Sequence, residues 1–543
     1  MTDNLRRLFR ISLRNGSRTF PVGLAMVGFW TRSSLLAVIA AGACMSAAQD
    51  NPAPLLDGMG HHTFPISTDN ELAQRYFDQG LVLSYGFNHP EAKRSFLYAT
   101  QLDPNCAMGF WGAALVLGPN INARMPSRVE PEAIEIVDKA LALLDNCTEK
   151  EKAMILALEK RYKGEGQRAD KDQAYAEAMR ELSKQFPEDG DIVTLTAEAL
   201  MDLHPWNFWN RDGTPKEWTA EITDLLARAT TLDPMNPGAN HFTIHAWEAS
   251  PTPERALQAA DRLGEIAPGV EHLVHMPSHI YLRVGRYHDA TESNIKAADA
   301  YDYYADQCRD QGHGPIGGYE MHNWHFMWAA ATHEGRSEVA LRAAQKFADR
   351  QPNNLFLTQT RIRFGKWDDL LAMNPEKPSR GKTIAMHYGK AIAHLRKGNI
   401  AAAQKEQEAM LELNGNSRTS SNRLMRGIVA AEIDAAKGNF DEAIAALEEA
   451  KTVEDSMFRA ELAPWHHPIR HTLGAILIKA GRFEEAEKAY REELENNEED
   501  GWTLFGLMQA LEHQGNYRDA ARYRARFEIA WRYSDVFLES SRF

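Results

Sequence analysis

From Asn70 onward, apolar residues recur every three or four positions, the period of helices with one buried face, and alternating β-branched stretches are almost absent. The pattern predicts helices over Ala73 to Gly86, Pro90 to Leu102 and Cys106 to Leu117, with Asp103-Pro104 as the turn between the second and third. Further along, one motif repeatedly ends a helix and starts the next: Gly285-Arg286-Tyr287-His288-Asp289-Ala290, with equivalents beginning at Gly438, Gly481 and Gly515 and looser copies at Gly335 and Gly398. Glycine takes the left-handed conformation that terminates the first helix, the aromatic ring packs between helices, and alanine lets two helices approach closely. An all-α array of helical hairpins follows.

A second regularity lies in the histidines. His241/His245 (HFTIH) is followed after 34 residues by His275/His279 (HMPSH), and nine of the twenty histidines fall between His241 and His325. Thirty-four residues is the period of one hairpin in a tetratricopeptide-like solenoid, so both pairs would occupy one position in consecutive repeats. A third pair, His322 and His325, stands where the next hairpin begins. On a helix, His241, His245 and Glu248 share a face, as do His272, His275 and His279. If each set sits on the first helix of its hairpin, the three helices line the concave wall at a spacing of about 8 to 10 Å and their imidazoles converge.

Neutral imidazole is the commonest protein ligand for first-row metals, and a carboxylate adds charge or bridges two ions. His241, His245, Glu248, His275, His279, His322 and His325 are therefore candidate ligands for a transition metal ion, with copper, iron and zinc all compatible and a two-metal site within reach. Glu248 is also the candidate catalytic residue, a general base if the chemistry is hydrolysis. The competing reading makes these histidines ordinary hydrogen-bonding residues that hold a peptide. Pro277, inside HMPSH, either kinks its helix or starts a new one with His275 in the entering loop. Trp247, Tyr281, Tyr287, Tyr319, Trp324 and Trp328 surround the segment, either packing between hairpins or walling a substrate pocket. The loops 118–122 (GPNIN) and 204–209 (HPWNFW) have compositions that either stop helices or line sites.

Composition then narrows the setting. Six arginines precede the short apolar run Leu35 to Ala43, which reads as an export signal cut after Ala48, with Cys44 offering lipid attachment as a second route and Arg6-Arg7 loosely resembling a twin-arginine signal. That run is too short for a stable membrane anchor, so no transmembrane segment is expected in the mature chain. Without residues 1–48, which hold six arginines and one aspartate, the formal charge of -14 becomes about -19, a balance that argues against nucleic acid as a partner. Cys106, Cys147 and Cys308 would remain, read here as buried and unpaired. The expected organisation is a signal peptide at 1–48, a linker at 49–69, a histidine-bearing repeat domain at 70–350, a basic and proline-bearing connecting segment at 351–383 and C-terminal tetratricopeptide repeats at 384–543.

The stretches at 73–92, 103–122, 241–250 (HFTIHAWEAS), 272–290 (HLVHMPSHIYLRVGRYHDA), 322–326 (HNWHF) and 501–511 resemble a group of exported bacterial tetratricopeptide-repeat proteins, HMPSH being the most specific motif. The resemblance implies a helical array and export but no settled reaction. Relatives often carry histidine where this chain has Asn236. Two functions are thus expected: a periplasmic or secreted metalloenzyme that oxidises or hydrolyses a small molecule in the concave groove, or a non-catalytic scaffold for a peptide or protein partner, with the C-terminal repeats as the docking surface.

Overall fold

The computed structural model describes residues 53–350, 355–374, 379–414, 419–457, 461–463 and 465–543; the expected signal peptide and Cys44 lie outside them. The described chain is helical from end to end, with only isolated bridges at Asn120/Ala123 and Trp209/Pro215. The first half comprises α1 (Glu71–Tyr85), α2 (His89–Leu102), α3 (Ala107–Leu115), α4 (Glu130–Leu141), α5 (Glu149–Lys163), α6 (Arg168–Gln185), α7 (Gly190–Leu203) and α8 (Thr219–Leu232). The histidine-rich stretch follows on α9 (Pro237–Trp247), α10 (Leu257–Ile266), α11 (Glu271–His275), α12 (Pro277–Arg283), α13 (Tyr287–Asp310), α14 (Glu320–His333) and α15 (Ser337–Arg350). The remainder is α16 (Phe356–Arg363), α17 (Trp367–Leu371), α18 (Arg380–Arg396), α19 (Ile400–Asn414), α20 (Ser420–Lys437), α21 (Phe440–Asp455), α22 (Ile469–Lys479), α23 (Phe483–Asn496), α24 (Gly501–His513) and α25 (Tyr517–Ala530).

Each helix packs chiefly on its chain neighbours, the geometry of a hairpin solenoid. Local chemistry sets the element ends. Asn70, Asn236 and Asp500 cap their helices with side-chain oxygens that accept orphan backbone N–H groups, and Thr148 with Glu151 forms a capping box on α5. All six turn glycines of the restart motif adopt positive φ, from +73° at Gly285 to +86° at Gly438. A second device recurs between hairpins: the buried Phe96 ring on α2 presses on Gly80 and Gly112, and the buried Tyr490 ring on α23 presses on Gly474 and Gly506. In both cases the flanking glycines leave room that a side chain would fill.

Two features depart from the expected organisation. Residues 53–69, read as a linker, are built into the fold: Leu56 and Phe64 join the main core, the Leu56 N–H donates to Gln79, and the Gly269 N–H donates to the Gly58 carbonyl. His62 and Asp191 form a further tie at 2.9 Å. The connecting segment 351–383 contains α16 and α17, and beyond it the chain folds back on α13 and α14. There Trp502 Nε1 donates to the Thr332 carbonyl, His333 pairs with Asp500 at 2.7 Å, and the Tyr287 hydroxyl donates to the Glu498 carbonyl.

The last residues then run along the first helices of the C-terminal hairpins. Ser541 meets Tyr490 and the His471 carbonyl, Arg542 pairs with Glu432, the Phe543 carbonyl accepts from Arg396, and its ring packs on Trp502. Cys106, Cys147 and Cys308 are free thiols, and among the described residues no helix is long and apolar enough to cross a membrane.

Candidate metal centre

The three histidine pairs fall on α9, α11/α12 and α14, each the first helix of its hairpin. Pro277 interrupts the second helix without redirecting it. Met276 stays right-handed at φ -54° and ψ -35°, so His275 remains helical rather than entering from a loop. The pair therefore keeps its one-turn spacing. These helices do not face an open groove, as the spacing alone suggested. The C-terminal end of α1 closes over them, with Tyr85 edge-on to Phe242 and Phe87 against His241, and the rings at 241, 245, 272, 275 and 279 are buried.

Six imidazoles gather into two sets of three, His241/His245/His272 and His275/His279/His322, and within each set the candidate ligand nitrogens lie within 4.8 Å of one another. Four of the six rings are oriented from behind through Nδ1. His241 donates to the Tyr85 carbonyl at 2.6 Å and His275 to Asn294 Oδ1 at 2.7 Å. His245 and His279 donate to the two oxygens of Glu248, each at 2.6 Å. A carbonyl or carboxylate can only accept, so the proton sits on Nδ1 and the Nε2 lone pair is free. That tautomer, with a carboxylate or carbonyl behind the ring, is the usual arrangement of metal-binding histidine.

The free nitrogens have few protein partners. Nε2 of His241 and His245, and both nitrogens of His272, are buried without a hydrogen bond, and buried polar atoms are rarely left so. In the other set, His275 Nε2 and His279 Nε2 face each other at 2.9 Å, and His322 Nε2 lies 3.3 Å from His279 Nε2. Donors bound to one ion through bonds of about 2.0–2.1 Å stand roughly 2.9 Å apart at a right angle and 3.4 Å apart at a tetrahedral one. The observed separations match. A proton on His279 would satisfy its own contact with His275 but leaves the orphan nitrogens of the first set unserved.

Electrostatics fit the same roles. Burial, reinforced by neighbouring imidazoles, holds His241, His272, His275 and His322 well below the usual histidine range, so they stay neutral and need shed no proton to ligate. Burial acts likewise on His245, against the pull of Glu248. His279 is the exception: burial opposes its charge, but the Glu248 carboxylate outweighs it and raises the pKa. Burial also favours neutral Glu248, yet the two imidazoles hold it well below the carboxylate range. Glu461 is pushed up to about 7, chiefly by burial.

Two bulky residues at positive φ, rare for non-glycine residues, wall the first set: Phe87 at +56° and Trp206 at +60°. Phe87 packs against His241, His245 and His272, and Trp206 stands edge-on to His245 at 5.2 Å. Tyr319 stacks on His272 at 4.0 Å. Asn122 joins the rim by accepting from Trp206 Nε1 and donating to the Tyr319 hydroxyl. The two unusual loops, GPNIN and HPWNFW, thus meet at the site. On the opposite side His322 is 24 % exposed and faces Glu461.

Of the seven candidate ligands, five present Nε2 to the centre: His241, His245, His275, His279 and His322. Glu248 stands behind the rings with both oxygens engaged by Nδ1 groups. His325 points elsewhere, packed among Trp328, Phe347, Phe356 and His466. His272 completes the first set; its i, i+3, i+7 relation to His275 and His279 had signalled a shared face. Glu461, about 180 residues further along, carried no sequence signal.

Residues 467–500 match the tetratricopeptide repeat family. No curated protein sequence matches the chain significantly. Among solved structures, it resembles the APC/C hetero-tetramer Cut9-Hcn1 (TM-score 0.28, 12% identity, 92% of this chain and 79% of that one). It also resembles the P58(IPK) TPR domain (0.22, 12%, 82% and 98%) and the human IFIT1 dimer with m7Gppp-AAAA (0.30, 14%, 85% and 91%). Scores this low carry no argument about function, and the fold assignment rests on the hairpins themselves.

Proposed function

We propose that this helical-repeat protein is a metalloenzyme that holds two transition-metal ions, one on His241, His245 and His272 and one on His275, His279 and His322. The observation that carries this reading is the convergence of imidazole nitrogens, several buried without partners, with four of the six rings committing Nδ1 elsewhere and leaving Nε2 for the centre. Glu248 supports both sets at once, orienting His245 of one and His279 of the other. Histidine donors suit copper, iron and zinc. A redox-active pair would oxidise a small organic molecule, whereas zinc would supply activated water for hydrolysis. The substrate would enter past Trp206, Asn122 and Tyr319, the polar and aromatic rim of an otherwise apolar wall. The scaffold reading has less room, because the chain's own tail lies along the C-terminal hairpins.

Metal content of protein expressed under metal-replete conditions tests the proposal. Two equivalents per chain are expected, with both lost or severely weakened in a His245→Ala/His279→Ala double variant. Metal-free wild-type protein would overturn the reading, and full retention by the double variant would show that the ligands lie elsewhere.

A further inference from the structure

Two divalent ions in a buried, all-imidazole cage would carry charge that a low-dielectric interior tolerates only with anions nearby. The carboxylates around the site are differently engaged. Both oxygens of Glu248 accept from His245 and His279, and both oxygens of Glu271 accept, from the Tyr319 N–H and the Asn323 amide. Glu461 lies at the edge of the second set instead: its Oε1 is 3.8 Å from His322 Nε2, short enough for both to bind one ion, and 3.9 Å from His279 Nδ1. It belongs to the segment between α21 and α22, in the C-terminal half. Leu462 beside it packs into the core of the N-terminal half, and Arg211 donates to the Ser456 carbonyl at the start of the same segment.

We infer that Glu461 is the fourth protein ligand of the ion held by His275, His279 and His322, so that the two halves of the chain build this site jointly. The inference rests on the two-metal reading above. It also makes the two ions unequal, because the first set keeps three protein donors and an open position while the second becomes four-coordinate.

Co²⁺ titration of metal-free full-length protein, read by its visible d–d absorption and by equilibrium dialysis, tests this. Wild type is expected to bind two equivalents. Glu461→Gln, isosteric and only partly buried, should bind one as before and the other at least tenfold more weakly, with the absorption of that equivalent altered. Glu461→His, which restores a donor, should recover the second equivalent; recovery separates ligation from a structural role of the segment. Two equivalents bound by Glu461→Gln with unchanged affinity and spectrum would overturn the inference and leave the six-histidine reading intact. No binding by wild type would instead remove the reading on which it rests.

Discussion

Replacing Glu248 by glutamine tests the arrangement at its centre with almost no change in shape. The carboxylate accepts two N–H groups, from His245 Nδ1 and His279 Nδ1, both at 2.6 Å. An amide can accept only one of them; its NH₂ then faces the other ring donor to donor. That ring must move its proton to Nε2, which places N–H where a lone pair would meet the metal. Loss of one charge-assisted hydrogen bond amounts to about 1.5–3 kcal/mol, and loss of a ring-orienting partner weakens metal binding roughly 10- to 100-fold. The two estimates agree at about 2 kcal/mol, or about 30-fold, for at least one ion. Competition titration of Zn²⁺ against a chromophoric chelator reads this directly, with circular dichroism confirming that the variant is folded. Unchanged affinity for both ions in a folded variant would refute the orienting role. Complete loss of one ion with the other untouched would make Glu248 a direct ligand.

Other residues separate the same ideas. His272→Ala should lower metal stoichiometry from two to one by elemental analysis, whereas His325→Ala should leave it unchanged and lose only packing among Trp328, Phe347 and Phe356. The tie between His62 and Asp191 predicts a pH signature. Burial opposes charge on His62, yet Asp191 raises its pKa above 6.5; burial likewise opposes charge on Asp191, yet His62 lowers its pKa below 3.8. The raised His62 stabilises the fold fully below 6.5 and loses that contribution as pH rises through its folded value; the lowered Asp191 contributes fully above 3.8 and loses it as pH falls through its own folded value. Denaturant midpoints should therefore show His62→Gln more damaging near pH 5 than near pH 9, and an equal effect at both would contradict the linkage. Gly506→Ala places a methyl group against the buried Tyr490 ring and should cost about 1–3 kcal/mol in chemical denaturation, a reading that a neutral result would discard.

Much of this molecule is local in the sequence. The three- and four-residue apolar period and the Gly-x-aromatic restart motif act within a turn or two of helix, so the all-α hairpin array could be read directly. The 34-residue histidine interval likewise placed the pairs on first helices, because a fixed repeat puts equal positions in equal places. Convergence is another matter. His322 and His325 lie one turn apart on α14, yet only the first reaches the centre, because the rotation of α14 against α12 and α15 is set by packing. Glu248 was legible as a neighbour of His245 but not as the support of His279, since that contact requires α12 to lie against the end of α9. The folding of residues 53–69 into the core, the tail along the C-terminal hairpins and the approach of Glu461 join segments many tens to hundreds of residues apart. The amino-acid sequence determined by itself which helices form and which faces carry imidazole. Only the tertiary structure decided which nitrogens meet, because helical periodicity is a short-range property and a metal site is a matter of angstroms between helices packed from distant parts of the chain.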